Sequence, residues 1–229
     1  MRISEIFYSV QGEGSLVGVP SVFVRTSGCN LRCRWCDTPY ASWKPEGQEM
    51  NTEQILSTVL TYPAQHVVVT GGEPMIALGM AELLIRLREA GKHITIETAG
   101  TVAPSGVVCD LASISPKLSN STPSVAEAGV TWVERHEATR AKPEVLHQWC
   151  ADYDVQLKFV ISTERDLEEM RAIIKPLPLK PTQVMIMAEG TSVEAIRTRS
   201  AMLVEACKHY GWRYSPRLHI DLFGNQRGT

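Results

Sequence analysis

The sequence predicts an α/β fold: a single domain of parallel β-α units, about six in number, arranged as an open, partial barrel. Short β-branched runs alternate with segments of helical period, the order expected of strands joined by crossover helices. At 229 residues the chain supports one large core and is too short for two ordinary domains, so residues 1–229 read as one unit. The polar, glycine-bearing motifs fall just after strands, where a parallel barrel collects its chemistry around one mouth.

Ser21–Thr26 is the first strand, followed by a cysteine-rich loop. Asn51 and Gln54, spaced as a capping-box pair, start a helix over Thr52–Leu60. His66–Thr70 reads as a buried strand, and Gly79–Ala90 as a helix with Leu83, Leu84 and Leu87 on one face and Gly91 as its stop. Strands are expected at His93–Glu97, Val107–Asp110 and Val155–Ile161, then a helix at Glu164–Lys175 and a strand at Gln183–Met187. A helix over Val193–Tyr210 and a last strand near Trp212–Ile220 complete the pattern. Residues 120–142 carry no clean period and read as an irregular segment in place of a standard helix, while Pro176, Pro178 and Pro181 mark a rigid connector.

A net charge of -2, with acids and bases interspersed, argues against a grip on nucleic acid or an anionic membrane and points to a small-molecule partner. The N-terminal residues lack the apolar run of a signal peptide, and no stretch approaches the roughly 20 apolar residues of a membrane span. Cysteines in a chain without an export signal suit a reducing cytoplasm.

Cys29, Cys33 and Cys36 crowd one loop, a density of soft thiolates that exists to hold a metal. A closed structural zinc site wants four protein ligands, and the next candidates, His66 and Cys109, are distant in sequence. The triad therefore reads as an open site, such as a 4Fe-4S cluster with one iron free to bind something else. A zinc site completed by a remote histidine and a Cys33-x-x-Cys36 redox pair are the competing readings. Cys109, Cys150 and Cys207 read as structural.

The C-x3-C-x2-C spacing, with Trp35 before the third cysteine, resembles the radical S-adenosylmethionine (SAM) superfamily, whose members bind SAM at the free iron and share the open barrel predicted above. Thr70-Gly71-Gly72-Glu73-Pro74 resembles that superfamily's motif for the methionyl amino group, with Gly72 as the contact. Ser115-Pro116-Lys117 places a hydroxyl and an ammonium where they suit the ribose and carboxylate of SAM. Gln11-Gly12-Glu13-Gly14 is no dinucleotide fingerprint, because no βα unit precedes it.

Its surroundings matter more. The run Glu5–Gly14, with Phe23-Val24-Arg25, Gly28-Cys29-Asn30-Leu31, Cys36-Asp37-Thr38 and the motifs above, resembles the 7-carboxy-7-deazaguanine synthases, densely over the first half of the chain and again in the tail from Leu218 to Gly228. The resemblance implies a radical lyase that converts 6-carboxy-5,6,7,8-tetrahydropterin to 7-carboxy-7-deazaguanine and ammonia, in 7-deazapurine (queuosine) biosynthesis. It implies one 4Fe-4S cluster on Cys29, Cys33 and Cys36, SAM, and Mg2+ on the Thr38 hydroxyl. SAM-binding positions implied are Trp35, Cys36, Asp37, Gly72, Ser115, Pro116 and Lys117; substrate positions are Val10, Gln11, Gly12, Glu13, Arg25 and Thr70. Arg25 matches the family's clamp for the substrate carboxylate, a contact that suits a planar fork.

A flavodoxin-like or ferredoxin-like reductant and a homodimer follow from the same resemblance. Ala99 departs from it, standing where many relatives carry asparagine. Glu97, Lys158 and His219 receive no firm role. The competing functions are a glycyl-radical-enzyme activase, against which Gln11–Gly14 and Arg25 argue, and a non-enzymatic iron-sulfur or zinc module.

Overall fold

One continuous sheet of nine strands organises the molecule. In the computed structural model, which covers residues 1–229, the strands are β1 (Arg2–Val10), β2 (Pro20–Thr26), β3 (Gln48–Glu49), β4 (His66–Gly71), β5 (His93–Thr98), β6 (Leu111–Ile114), β7 (Val155–Ile161), β8 (Val184–Ala188) and β9 (Arg213–Tyr214). Their order across the sheet is β3-β1-β2-β4-β5-β6-β7-β8-β9. From β2 to β9 every pairing is parallel, whereas β1 and β3 run antiparallel at one edge. The terminal strands β3 and β9 do not meet, so the barrel is open as expected.

The helices are α1 (Thr52–Leu60), α2 (Met80–Glu89), α3 (Val125–Ala128), α4 (Val130–Arg140), α5 (Pro143–Asp152), α6 (Glu164–Ile174), α7 (Val193–Tyr210) and α8 (Leu218–Phe223). None is long and apolar enough to cross a membrane. The expected capping box opens α1: Gln54 N–H donates to Asn51 Oδ1 and Asn51 N–H to Gln54 Oε1, each at 2.9 Å.

Alternation along the parallel strands sorts the core from the site. Val22 and Val24, Val67 and Val69, Ile94 and Ile96, Ala112 and Ile114, Leu157 and Phe159, and Ile186 and Ala188 all join the main apolar core beneath the helices. The intervening side chains Arg25, Thr70, Glu97, Ser113, Lys158 and Met187 line the barrel interior instead. Register aligns them, with Arg25 paired to Thr70 and Glu97 to Ser113.

Four expectations need correction. The strand expected at Val107–Asp110 lies at Leu111–Ile114; the earlier residues follow β5 as coil, with the Asp110 carboxylate accepting Ile94 N–H at 2.7 Å. The last strand is only Arg213–Tyr214, because Pro216 has no N–H to continue a ladder, and α8 follows. Residues 120–142 are not irregular but hold α3 and α4, whose apolar stripe is missing because α4 fully buries only His136. Helix α5 and strand β1 were not anticipated at all, although Val145, Leu146 and Trp149 give α5 an apolar face.

Candidate functional site

The loop after β2 carries Cys29, Cys33 and Cys36 to the barrel mouth, where all three line one cavity. Neighbouring segments pin it: Gly28 N–H donates to Ala41 O at 2.8 Å, Glu73 N–H to Gly28 O at 2.9 Å, and Trp43 Nε1 to Cys33 O at 2.9 Å. A Cβ on Gly72 would stand 2.2 Å from Gly28 O and 2.5 Å from Ala41 O, so only glycine lets the end of β4 approach this loop. Ala99 packs with Leu31 and Cys33 in a small apolar cluster of its own.

Burial pushes the Cys29 and Cys33 thiols up to about 12, a cost that a bound cation reverses by taking them as thiolates. Three soft cysteine donors on one loop, all lining the same cavity, are a donor set that fits a three-cysteine iron-sulfur cluster. Cys109, Cys150 and Cys207 lie outside the cavity, as their structural reading requires. Cys36 Sγ stands 3.1 Å from Ser42 Oγ and 3.8 Å from Thr38 Oγ1, which brings the Thr38 hydroxyl beside the third thiol.

Beyond the loop, Lys117 Nζ donates to Ser115 Oγ at 2.7 Å and lies 5.4 Å from the centre of the Trp35 ring. Ser115 and Lys117 both line the cavity; Pro116, between them, is the one predicted site residue that does not. Side chains two apart share a side in extended chain, which turns the proline away. Gly72 N–H donates to Thr26 O at 3.2 Å, so its carbonyl is the group left for an amino donor. Glu73 is a strut: fully buried, it accepts from Thr98 Oγ1 at 2.7 Å, Ala99 N–H at 2.9 Å and Met75 N–H at 3.1 Å.

The cavity floor is a charge network. Lys158 Nζ lies 3.0 Å from Glu13 Oε2 and 3.1 Å from Glu97 Oε1, while Arg217 Nε holds the other Glu13 oxygen at 3.1 Å. Burial pushes the Glu13 carboxyl up, but the cations of Lys158 and Arg217 outweigh it and hold the group well below 4.5. Gln11 Nε2 donates to Glu97 Oε1 at 3.1 Å and Gln11 Oε1 accepts Glu13 N–H at 3.2 Å. Arg25 Nε is engaged by Glu5 Oε1 at 2.7 Å, and Tyr40 donates to the same oxygen at 2.9 Å.

Comparison with known proteins reads the same features. Residues 23–114 match the model of the radical SAM superfamily. A 7-carboxy-7-deazaguanine synthase from Rhodopirellula baltica is 46% identical over 100% of this chain and 89% of its own, and one from Halobacterium salinarum is 41% identical over 100% and 93%. The chain belongs to the 7-carboxy-7-deazaguanine synthase family. Among solved structures, QueE from Escherichia coli superposes with a TM-score of 0.70 at 26% identity, over 95% of this chain and 94% of that one. Membership of this family sets aside the activase and the stand-alone metal module.

Sequence reading assigns no role to two parts of the synthase site, one of them in the tail whose resemblance to the family it does register. Arg217 bonds Glu13, Asp37 and the Gly190 carbonyl at once, and nothing in its neighbourhood marks it. The tail, Asn225–Thr229, lines the cavity and is tied down by Arg227, which lies 3.2 Å from Glu5 and 3.0 Å from Glu46. His219 was placed on a strand but stands on α8, packed so closely on Gly12 that a Cβ there would lie 2.0 Å from its Nδ1.

Proposed function

We propose that this cavity performs the ring contraction of 6-carboxy-5,6,7,8-tetrahydropterin to 7-carboxy-7-deazaguanine with loss of ammonia. One observation carries the reading: the three-thiol loop, the Gln11–Glu13 arm and Arg25 line one cavity with Thr70, Lys117, Lys158 and Arg217, which come from far along the chain. The enzyme uses a 4Fe-4S cluster on Cys29, Cys33 and Cys36 together with SAM, which when bound supply the one-electron cleavage and hydrogen-atom exchange of the reaction.

The chain's own groups bind and orient. Glu5 fixes Arg25 through Nε and leaves its two terminal nitrogens for the substrate carboxylate. Glu13, kept ionised by Lys158 and Arg217, accepts from the amino edge of the pterin, since each carboxylate oxygen retains a second lone pair. Val10, Gln11, Gly12 and Thr70 flank the ring. Trp35, Cys36, Asp37, Gly72, Ser115 and Lys117 seat SAM, and Thr38 gives Mg2+ a hydroxyl that water and substrate oxygens complete.

The proposal includes a single functional domain over residues 1–229, a cytoplasmic homodimer, and a flavodoxin-like or ferredoxin-like electron donor. Anaerobic incubation of reconstituted protein with reductant, SAM and the carboxytetrahydropterin, followed by mass spectrometry, tests it. Formation of the deazaguanine acid with release of ammonia is expected; intact substrate alongside SAM cleavage would refute the substrate assignment.

A further inference from the structure

The segment whose role the sequence leaves open grips the cysteine loop. Ser121 O accepts Arg34 N–H at 2.9 Å and Asn120 O accepts Trp35 Nε1 at 3.0 Å. Arg32, between Cys29 and Cys33 and directly before the latter, is held twice by α4. His136 Nδ1 accepts its backbone N–H at 3.1 Å, and the Trp132 ring, one turn earlier on the same helix face, stacks 3.7 Å from its guanidinium carbon. The same guanidinium donates back to Cys29 O at 3.0 Å and Leu31 O at 2.7 Å. Helix and loop are thus joined through the residue that sets the path between two thiols.

His136 is fully buried, and burial depresses its pKa to about 4, so the ring is neutral. With Nδ1 accepting, its proton sits on Nε2, which meets Ser121 Oγ at 3.0 Å; that hydroxyl donates onward to Leu118 O at 2.6 Å. Both ring nitrogens are therefore committed. An apolar residue would fill the same space but strand a buried loop N–H.

We propose that His136, assisted by Trp132, is a positioning residue for the iron-sulfur cluster: it fixes the backbone between Cys29 and Cys33 and so the directions from which those thiolates reach iron. The proposal rests on the cluster assignment above.

The test uses reconstituted holoenzyme and reads two properties apart from turnover: anaerobic iron release to a chelator, and the electron paramagnetic resonance spectrum of the reduced cluster with SAM. His136→Leu is expected to release iron about tenfold faster, within the range for an unpaired buried donor, and to shift the spectrum. His136→Asn, which keeps an acceptor near Nδ1, should stay within about twofold of wild type, and Trp132→Leu should quicken release about threefold. Wild-type release and spectrum in His136→Leu would overturn the proposal, as would His136→Asn matching His136→Leu. If His136→Leu does not fold, Trp132→Leu decides, and wild-type release there overturns it. Wild-type protein that takes up no cluster overturns the cluster assignment instead, and the proposal with it.

Discussion

Lys158→Met isolates the charge at the cavity floor. Methionine keeps the length of the stem and removes only the ammonium, whose side chain is 3% exposed between Glu13 and Glu97. Arg217 then holds Glu13 alone, and Glu97 keeps only the neutral donor Gln11. Breaking a buried pair costs about 3–5 kcal/mol. The low end, about 3 kcal/mol, applies here because Glu97 is 23% exposed and can rehydrate. At roughly 2–4 °C per kcal/mol for a chain of this size, Tm falls by about 6–12 °C.

The pH dependence follows from Glu13. Its folded pKa lies below 4.5, so its stabilising contribution is complete above that value and is lost as pH falls through the folded pKa. The variant's deficit is therefore largest at neutral pH and narrows at acid pH, where Glu13 takes up a proton in the folded variant while Lys158 still holds it ionised in the wild type. Urea unfolding of the apo-protein, followed by circular dichroism at pH 7 and pH 3.5, measures both quantities. A deficit under about 1 kcal/mol at pH 7, or an equal deficit at the two pH values, would show that the network is not coupled as drawn. Adding Glu97→Gln to Lys158→Met should restore part of the loss, since it removes one stranded charge.

Single Ala variants of Cys29, Cys33 and Cys36 should each lose cluster iron and SAM cleavage, whereas Cys109→Ala, Cys150→Ala and Cys207→Ala should retain wild-type iron; the reverse pattern sinks the ligand assignment. Arg25→Lys keeps the charge without the fork, so kcat/KM should drop roughly 10- to 100-fold while iron content holds, and unchanged kinetics in Arg25→Ala would remove the carboxylate role. Thr38→Val should blunt the Mg2+ activation of turnover and leave the cluster intact, with Thr38→Ser largely active; superimposable Mg2+ curves for wild type and Thr38→Val would exclude the hydroxyl ligand.

The parallel half of the fold is legible because two local signals agree there. In β4 the run Val67-Val68-Val69 is buried throughout, and α1 and α2 show both their caps and their apolar faces, so period and punctuation mark the same boundaries. The cysteine loop and the glycine pair after β4 are equally local: each is a short run whose residue types make sense only beside a ligand or another backbone. At Val107–Leu111 two apolar runs adjoin, and which one pairs with β5 depends on the Asp110 carboxylate capping Ile94 N–H, a contact that no local pattern encodes.

The unread half of the site is unread for one physical reason: its members act singly and from a distance. Arg217 meets Glu13 across 204 positions and Asp37 across 180, and Arg227 reaches Glu5 across 222. Each is an ordinary arginine in a polar tail until the barrel brings the tail over its mouth. His136 is harder still, since a polar helix with one buried histidine looks like a solvent-exposed segment, yet that histidine satisfies a donor 104 positions away. Local pattern reports what a segment buries of its own; it is silent where one side chain completes the hydrogen bonds of another segment. In this family member the cluster loop is such a segment. Its cysteines are visible in a short window, while several of the groups that hold it come singly from distant positions: Ser121 and His136 accept its N–H groups and Arg217 bonds Asp37.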